Sequence, residues 1–190
     1  MTSSYSPLTV QSGPKTVLTV DQSRHLMGLV ETKYPQYSAY YALALFAGLR
    51  PDGELPRLLT AINSEGTAKY IAHGHVLVAL PKCGDARRVP LSANLTKWLE
   101  VAGQNGFAIP SRRQQNKIAA EAGGLPQNVL RHTAISAYVS MYESFARAAV
   151  TFGNSEAMIR KHYLSLMSRD EATAFYEIQP QSVGVTADLH

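Results

Sequence analysis

Four places in this 190-residue chain carry side chains suited to chemistry at a phosphate. An arginine ends an apolar stretch in Gly48-Leu49-Arg50, and a lysine stands at a turn in Pro81-Lys82-Cys83-Gly84. A second arginine lies in Leu130-Arg131-His132-Thr133, and a tyrosine in His162-Tyr163. In-line displacement at a phosphodiester spreads negative charge over the non-bridging oxygens, so fixed cationic donors aimed at them lower the barrier. Guanidiniums suit this because each presents a planar fork and keeps its proton near neutrality. A tyrosine hydroxyl, with a pKa near ~10, must lose its proton or sit beside positive charge to attack. A lysine on a hairpin can protonate the leaving oxygen as a general acid. Each residue also has a plain structural use. Arg50 complements a helix C-terminus, and Lys82 at a turn is solvated by default. Arg131, framed by Leu130, Ala134, Ile135 and Ala137, needs an anionic partner, which a structural carboxylate supplies as well as a phosphate. Tyr163 is one of ten tyrosines, and the spacing of Met158, Ile159, His162, Tyr163 and Leu166 suits packing under either use.

Read together, the four segments resemble the tyrosine recombinase (phage integrase) family over about residues 16 to 178. Leu45-Phe46-Ala47-Gly48-Leu49-Arg50, with Glu54-Leu55 and Leu58 after it, is similar to the helix-ending Gly-Leu-Arg whose arginine binds the scissile phosphate. The family's glutamate usually follows that arginine by three residues, whereas Glu54 follows Arg50 by four. Pro81 to Leu91 resembles the β-hairpin of the catalytic lysine, with Lys82 at its position and Arg-x-Val-Pro-Leu at its end. Asn128-Val129-Leu130-Arg131-His132-Thr133 is similar to His-x-Leu-Arg-His-Thr, with Asn128 in place of the first histidine. Gly153-Asn154 stands where the family has Gly-His, nine residues before Tyr163 and 23 after Arg131 for Asn154.

The resemblance implies a catalytic set of Arg50, Lys82, Asn128, Arg131, Asn154 and Tyr163. It implies DNA cleavage and rejoining through a 3′-phosphotyrosyl link, in site-specific recombination or integration, without metal or cofactor. The histidine replaced by Asn128 would manage the nucleophile's proton, and the one replaced by Asn154 would bond the phosphate. Asparagine still donates a hydrogen bond but is no base near neutral pH. The expectation is a slower enzyme, or one whose proton passes through water or His162, with His132 as a packing and hydrogen-bonding support. The alternative is a catalytically impaired DNA-binding module on the same fold. Double-stranded DNA is the implied partner, with a monomer in solution, a tetramer on DNA and exchange of segments after about Arg169. Family members carry an N-terminal helical DNA-binding domain, and almost nothing precedes Thr19. A fragment of a longer protein and a minimal recombinase both remain open.

The elements that must position these residues are mainly α with a small antiparallel β-meander. Residues 1–15 read as a leader or linker remnant, 16–178 as one catalytic domain and 179–190 as a flexible tail. Thr19 with Gln22 forms a capping-box pattern ahead of Leu26, Leu29 and Val30. Helices are expected over about 36–49, 54–61, after Ser92, after Ser111, and over about 127–142, 144–151, 155–167 and 169–176. Residues 67–72, 75–80 and 87–91 read as strands joined by turns at Gly74 and at 81–85. His73 and His75 are expected on one face of a strand, with no other ligand in reach that would make a metal site.

Composition sets outer bounds. Hydrophobic residues make up 45% and charged residues 17%, as in a globular chain with one core. The single cysteine, Cys83, excludes an internal disulfide framework and fits a cytoplasmic setting. No secretory signal is evident, and the apolar stretch 39–49 is too short to span a bilayer. The net charge of +4 is modest. Its placement says more, because Arg87-Arg88, Arg112-Arg113 and Arg160-Lys161 are local doublets suited to a phosphate backbone or to solvated turns.

Overall fold

A computed structural model describes residues 16–78, 86–163 and 166–181. Lys82, Cys83, the leader and residues 182–190 lie outside the described residues. The chain is mainly helical: α1 Val20–Lys33, α2 Ser38–Phe46 and α3 Glu54–Glu65 precede a meander of β1 Ile71–Ala72, β2 His75–Val78 and β3 Arg87–Pro90. It continues with α4 Ala93–Asn105, α5 Arg112–Glu121, α6 Val129–Tyr142, α7 Phe145–Phe152, α8 Glu156–Tyr163 and α9 Arg169–Tyr176. The antiparallel sheet has the order β1-β2-β3, with Val76 opposite both Ile71 and Val89.

Helix α2 is the hub. Every one of its residues is buried, and α1, α4 and α6 pack around it. Its sequence, SAYYALALF, is apolar on all sides, as a helix enclosed by others must be. The amphipathic helices supply the shell: Leu26, Met27 and Val30 of α1, Leu55, Leu58, Leu59 and Ile62 of α3, and Leu95, Trp98 and Leu99 of α4 turn inward. Helix α9 lies on α1 and α6 of its own chain, where Phe175 meets Phe46 at 5.1 Å between ring centres. Trp98 Nε1 donates to the Ile178 carbonyl at 3.0 Å, fixing the chain beyond α9 against α4.

Several starts follow the sequence rules directly. Thr19, Ser111 and Ser168 each close a capping box with the Gln or Glu three residues on, and Leu18 N–H donates to Thr133 Oγ1, tying the entry of α1 to α6. Elsewhere the structure corrects the expectation. Residues Thr67–Lys69 form a 3-10 turn instead of a strand, because they are exposed and have no apolar face to bury. Helix α3 runs four residues past 61, since Ile62 continues its buried stripe until Gly66 stops it. His73 does not share a strand face with His75. It occupies the turn between β1 and β2 at φ 51°, and the His75 ring Nδ1 lies 2.9 Å from its carbonyl oxygen. In the expected tail, Gln179 and Gln181 bond to Lys97 and Glu31.

Candidate active site

The apolar run of α2 ends at Gly48, whose φ of 62° turns the chain sharply. A Cβ there would lie 2.8 Å from Phe152 Cε1 and 3.1 Å from Ala134 Cβ, so only glycine lets α2 end this close to α6 and α7. The turn sends Arg50 and Glu54 toward α6. Glu54 is buried at 4% exposure, and its carboxylate is fully engaged. The Arg50 backbone N–H donates to Oε2 at 2.9 Å, and Arg50 Nη1 to Oε1 at 2.5 Å. Arg87 grips both oxygens, Nη1 to Oε1 at 2.8 Å and Nη2 to Oε2 at 2.7 Å. Arg131 Nη1 stands 3.8 Å from Oε2. Burial alone would raise this carboxyl's pKa, but the hydrogen bonds from Arg87 and Arg50 and their charges outweigh it and hold it at about 2. Glu54 is therefore an anion that gathers three arginines.

Arg131, on the first turn of α6, is 5% exposed. Its Nη1 donates to the Gly48 carbonyl at 2.6 Å, and its Nη2 to the Phe152 carbonyl and to Asn154 Oδ1, the latter at 2.6 Å. Burial and the neighbouring Arg50 charge lower its pKa to about 10, with Glu54 opposing, so it stays charged at neutral pH. Asn154 spends its oxygen on Arg131, which leaves its amide nitrogen as a donor. Helix α7 ends at Gly153, with φ 64°, and this αL cap delivers Asn154 to the site.

Tyr163, at the end of α8, is 3% exposed, and its hydroxyl lies 2.7 Å from His132 Nδ1. Burial pushes the phenol's pKa up, and the charges of Arg131 and Arg50 pull it down. The structure thus brings Arg50, Arg131, Asn154 and Tyr163 into one electrostatic neighbourhood. Asn128 sits at the N-cap of α6 with φ 59°, and its side chain makes no capping bond. This is a left-handed backbone position that asparagine tolerates better than most residues. Together with Arg131, Tyr40, Tyr41, Asp52 and Arg112 it lines a cavity of about 580 Å³.

The basic doublets divide. Arg88, Arg112, Arg113, Arg160 and Lys161 are exposed, although Arg160 also pairs with Glu156 at 2.9 Å and lies over the Phe145 ring. Arg87 is instead buried at 8%, held by Glu54 and, through Nε, by the Thr151 carbonyl at 3.0 Å. It braces the site and offers no free charge to a backbone.

Two residues take a bracing role that the sequence alone does not assign: Glu54, which has no function in its motif, and Arg87, which reads there as part of a basic doublet. Glu54 shares a helical face with Leu58, four residues on, which marks it as buried. Arg87 alternates with Val89 on the buried side of β3, while Arg88 and Pro90 face out. Among the described residues there is no group of three or more His, Cys, Asp or Glu side chains that could hold a metal ion, and no helix long and apolar enough to cross a membrane.

No family model matches this sequence, and no curated protein sequence matches it. Among solved structures the chain is similar to the crystal structure of XerA recombinase, with a TM-score of 0.56 at 18% identity. The match covers 82% of this chain and 60% of that one. Over the matched part the chain shares its fold with the XerA recombinase, and its own architecture is mainly helical with a three-stranded antiparallel sheet.

Proposed function

We propose that this chain is the catalytic unit of a DNA strand-transfer enzyme, with Tyr163 as nucleophile and Arg50 and Arg131 as the phosphate clamp. The observation that carries this reading is the convergence of both arginines on Glu54 with the Tyr163 hydroxyl inside their field. A carboxylate alone would explain one buried arginine. It does not explain Arg50, whose side chain is 42% exposed while its fellow guanidiniums are enclosed. Arg50 is the arm that meets a ligand. Three of Arg131's five N–H donors are committed to protein acceptors by hydrogen bonds, and the remaining two, on Nε and on the Nη1 that also faces Glu54, make none with the described residues. Asn154 adds its amide.

Lys82 supplies the leaving oxygen's proton in this reading. Arg88, Arg112, Arg113 and Lys161 meet the flanking backbone of double-stranded DNA, and residues 16–178 form the unit that acts. Assembly as a tetramer on DNA, with exchange of the segment after Arg169, belongs to the same proposal. One observation favours the rival reading, a DNA-binding module without chemistry: Tyr163 is buried at 3% exposure. Trapping on nicked suicide DNA separates the two. Wild type should give a denaturant-resistant DNA adduct that Tyr163→Phe does not. Salt-sensitive binding by both proteins with no adduct from wild type would leave the binding module.

A further inference from the structure

We infer that His132 is the proton acceptor for Tyr163 in this chain, taking at its Nδ1 the proton that the phenol must lose. This deepens the proposed strand-transfer reading and rests on it. The geometry comes first. His132 Nδ1 and Tyr163 Oη are 2.7 Å apart, within the range a general base needs, and the two rings lie 5.7 Å apart and tilted by 44°. With the proton on Nε2, Nδ1 is an acceptor aimed at the phenol.

Asn128 is no base near neutral pH, and His132 stands one turn further along the chain. His132 N–H donates to the Asn128 carbonyl at 2.9 Å, so the two residues are one turn apart on the same face of α6. Asn128 occupies the left-handed entry to the helix, whereas His132 sits within it, beside Arg131. The charged groups that act on Tyr163 are Arg131 from α6 and Arg50 from the turn after α2, and both favour the phenolate. His132 thus gives the proton a destination, and the two arginines stabilise the anion left behind.

Tyr163 Oη bonds to phosphorus as its proton passes to His132 Nδ1. The P–O5′ bond breaks with its electron pair on the 5′ oxygen, which takes a proton from the ammonium group of the general acid proposed at Lys82. In rejoining, the 5′ hydroxyl attacks phosphorus as its proton passes to the neutral amine at Lys82, the bond from phosphorus to the Tyr163 oxygen breaks with its electron pair on that oxygen, and His132 returns its proton there.

The test is single-turnover adduct formation on nicked suicide DNA across pH, with wild type, His132→Asn and His132→Gln. Asparagine places an oxygen near the Nδ1 position, so it keeps the hydrogen bond but takes no proton. Both variants should lose ~10²- to 10⁴-fold in rate with unchanged DNA affinity, and both should lose the inflection that a titrating base gives the rate profile. Replacing Tyr163 by 3-fluorotyrosine, whose phenol is more acidic, should recover part of the loss in the His132 variants. A variant whose rate, pH profile and adduct yield match wild type overturns the inference while leaving the strand-transfer reading intact. Restoration of full rate by His132→Asn alone assigns His132 to packing and also overturns it. A wild type that forms no adduct sinks both.

Discussion

Replacing Glu54 with glutamine removes the anion that Arg50, Arg87 and Arg131 share while keeping the side chain's shape. Two independent scales give the magnitude. A carboxyl held at about 2 instead of 4.5 stabilises the folded state by ~3 kcal/mol at neutral pH. Removing one partner from a buried ion pair costs ~3–5 kcal/mol, because the other charge is left uncompensated. The expected loss is therefore about 3–4 kcal/mol, equal to roughly 6–16 °C in Tm for a chain of this size. Because the folded pKa lies below the unfolded one, Glu54's contribution is complete above about pH 4.5 and fades as pH falls toward 2. Urea denaturation of wild type and Glu54→Gln should show a wide gap at pH 7 that narrows steadily below pH 4.5. Sulfate, an anion able to sit among the freed guanidiniums, should stabilise Glu54→Gln more than wild type. A gap under about 1 kcal/mol at pH 7, or one that does not change with pH, would refute the idea that Glu54 organises the arginines.

Gly48→Ala forces a Cβ into Phe152 and Ala134 at positive φ, and should cost about 2–4 kcal/mol in denaturant titrations. Thr133→Val leaves the buried Leu18 N–H without its acceptor and should cost ~1–3 kcal/mol by the same assay. Arg113→Ala should weaken DNA binding similarly on every sequence and reduce the log–log salt slope by about 0.9, read by fluorescence anisotropy. Arg87→Ala should act differently: its loss should appear in thermal stability, since the side chain braces Glu54 from inside.

Much of this architecture is legible in the residues. The capping box at Thr19 and the N-cap at Ser111 start helices where the sequence places them, and Arg169–Tyr176 forms a helix over the expected range. The intervals among Arg131, Asn154 and Tyr163 prove to be spatial as well: α6, the end of α7 and α8 bring those residues to one place. What escapes a linear reading is the pairing of charges across elements. Glu54, Arg87 and Arg131 lie on three elements, and nothing local tells which carboxylate meets which guanidinium. The parity of β3 and the i, i+4 spacing of α3 mark Arg87 and Glu54 as buried, but only the fold makes them partners. The same holds for His132. Its neighbour in sequence is an arginine, and its neighbour in space is the tyrosine 31 residues on. The short 3-10 turn at Thr67–Lys69 escapes for a different reason, because strand preference in an exposed segment yields to its surroundings.

Attack by Tyr163 on a DNA phosphate held by Arg50 and Arg131 is read out by mass spectrometry of the protein after incubation with a nicked suicide duplex and digestion. A nucleotide linked through a 3′ phosphate to Tyr163 is expected in wild type, and no such adduct in Tyr163→Phe or Arg131→Ala. An adduct on another residue, or DNA bound tightly by wild type with Tyr163 unmodified, would contradict it.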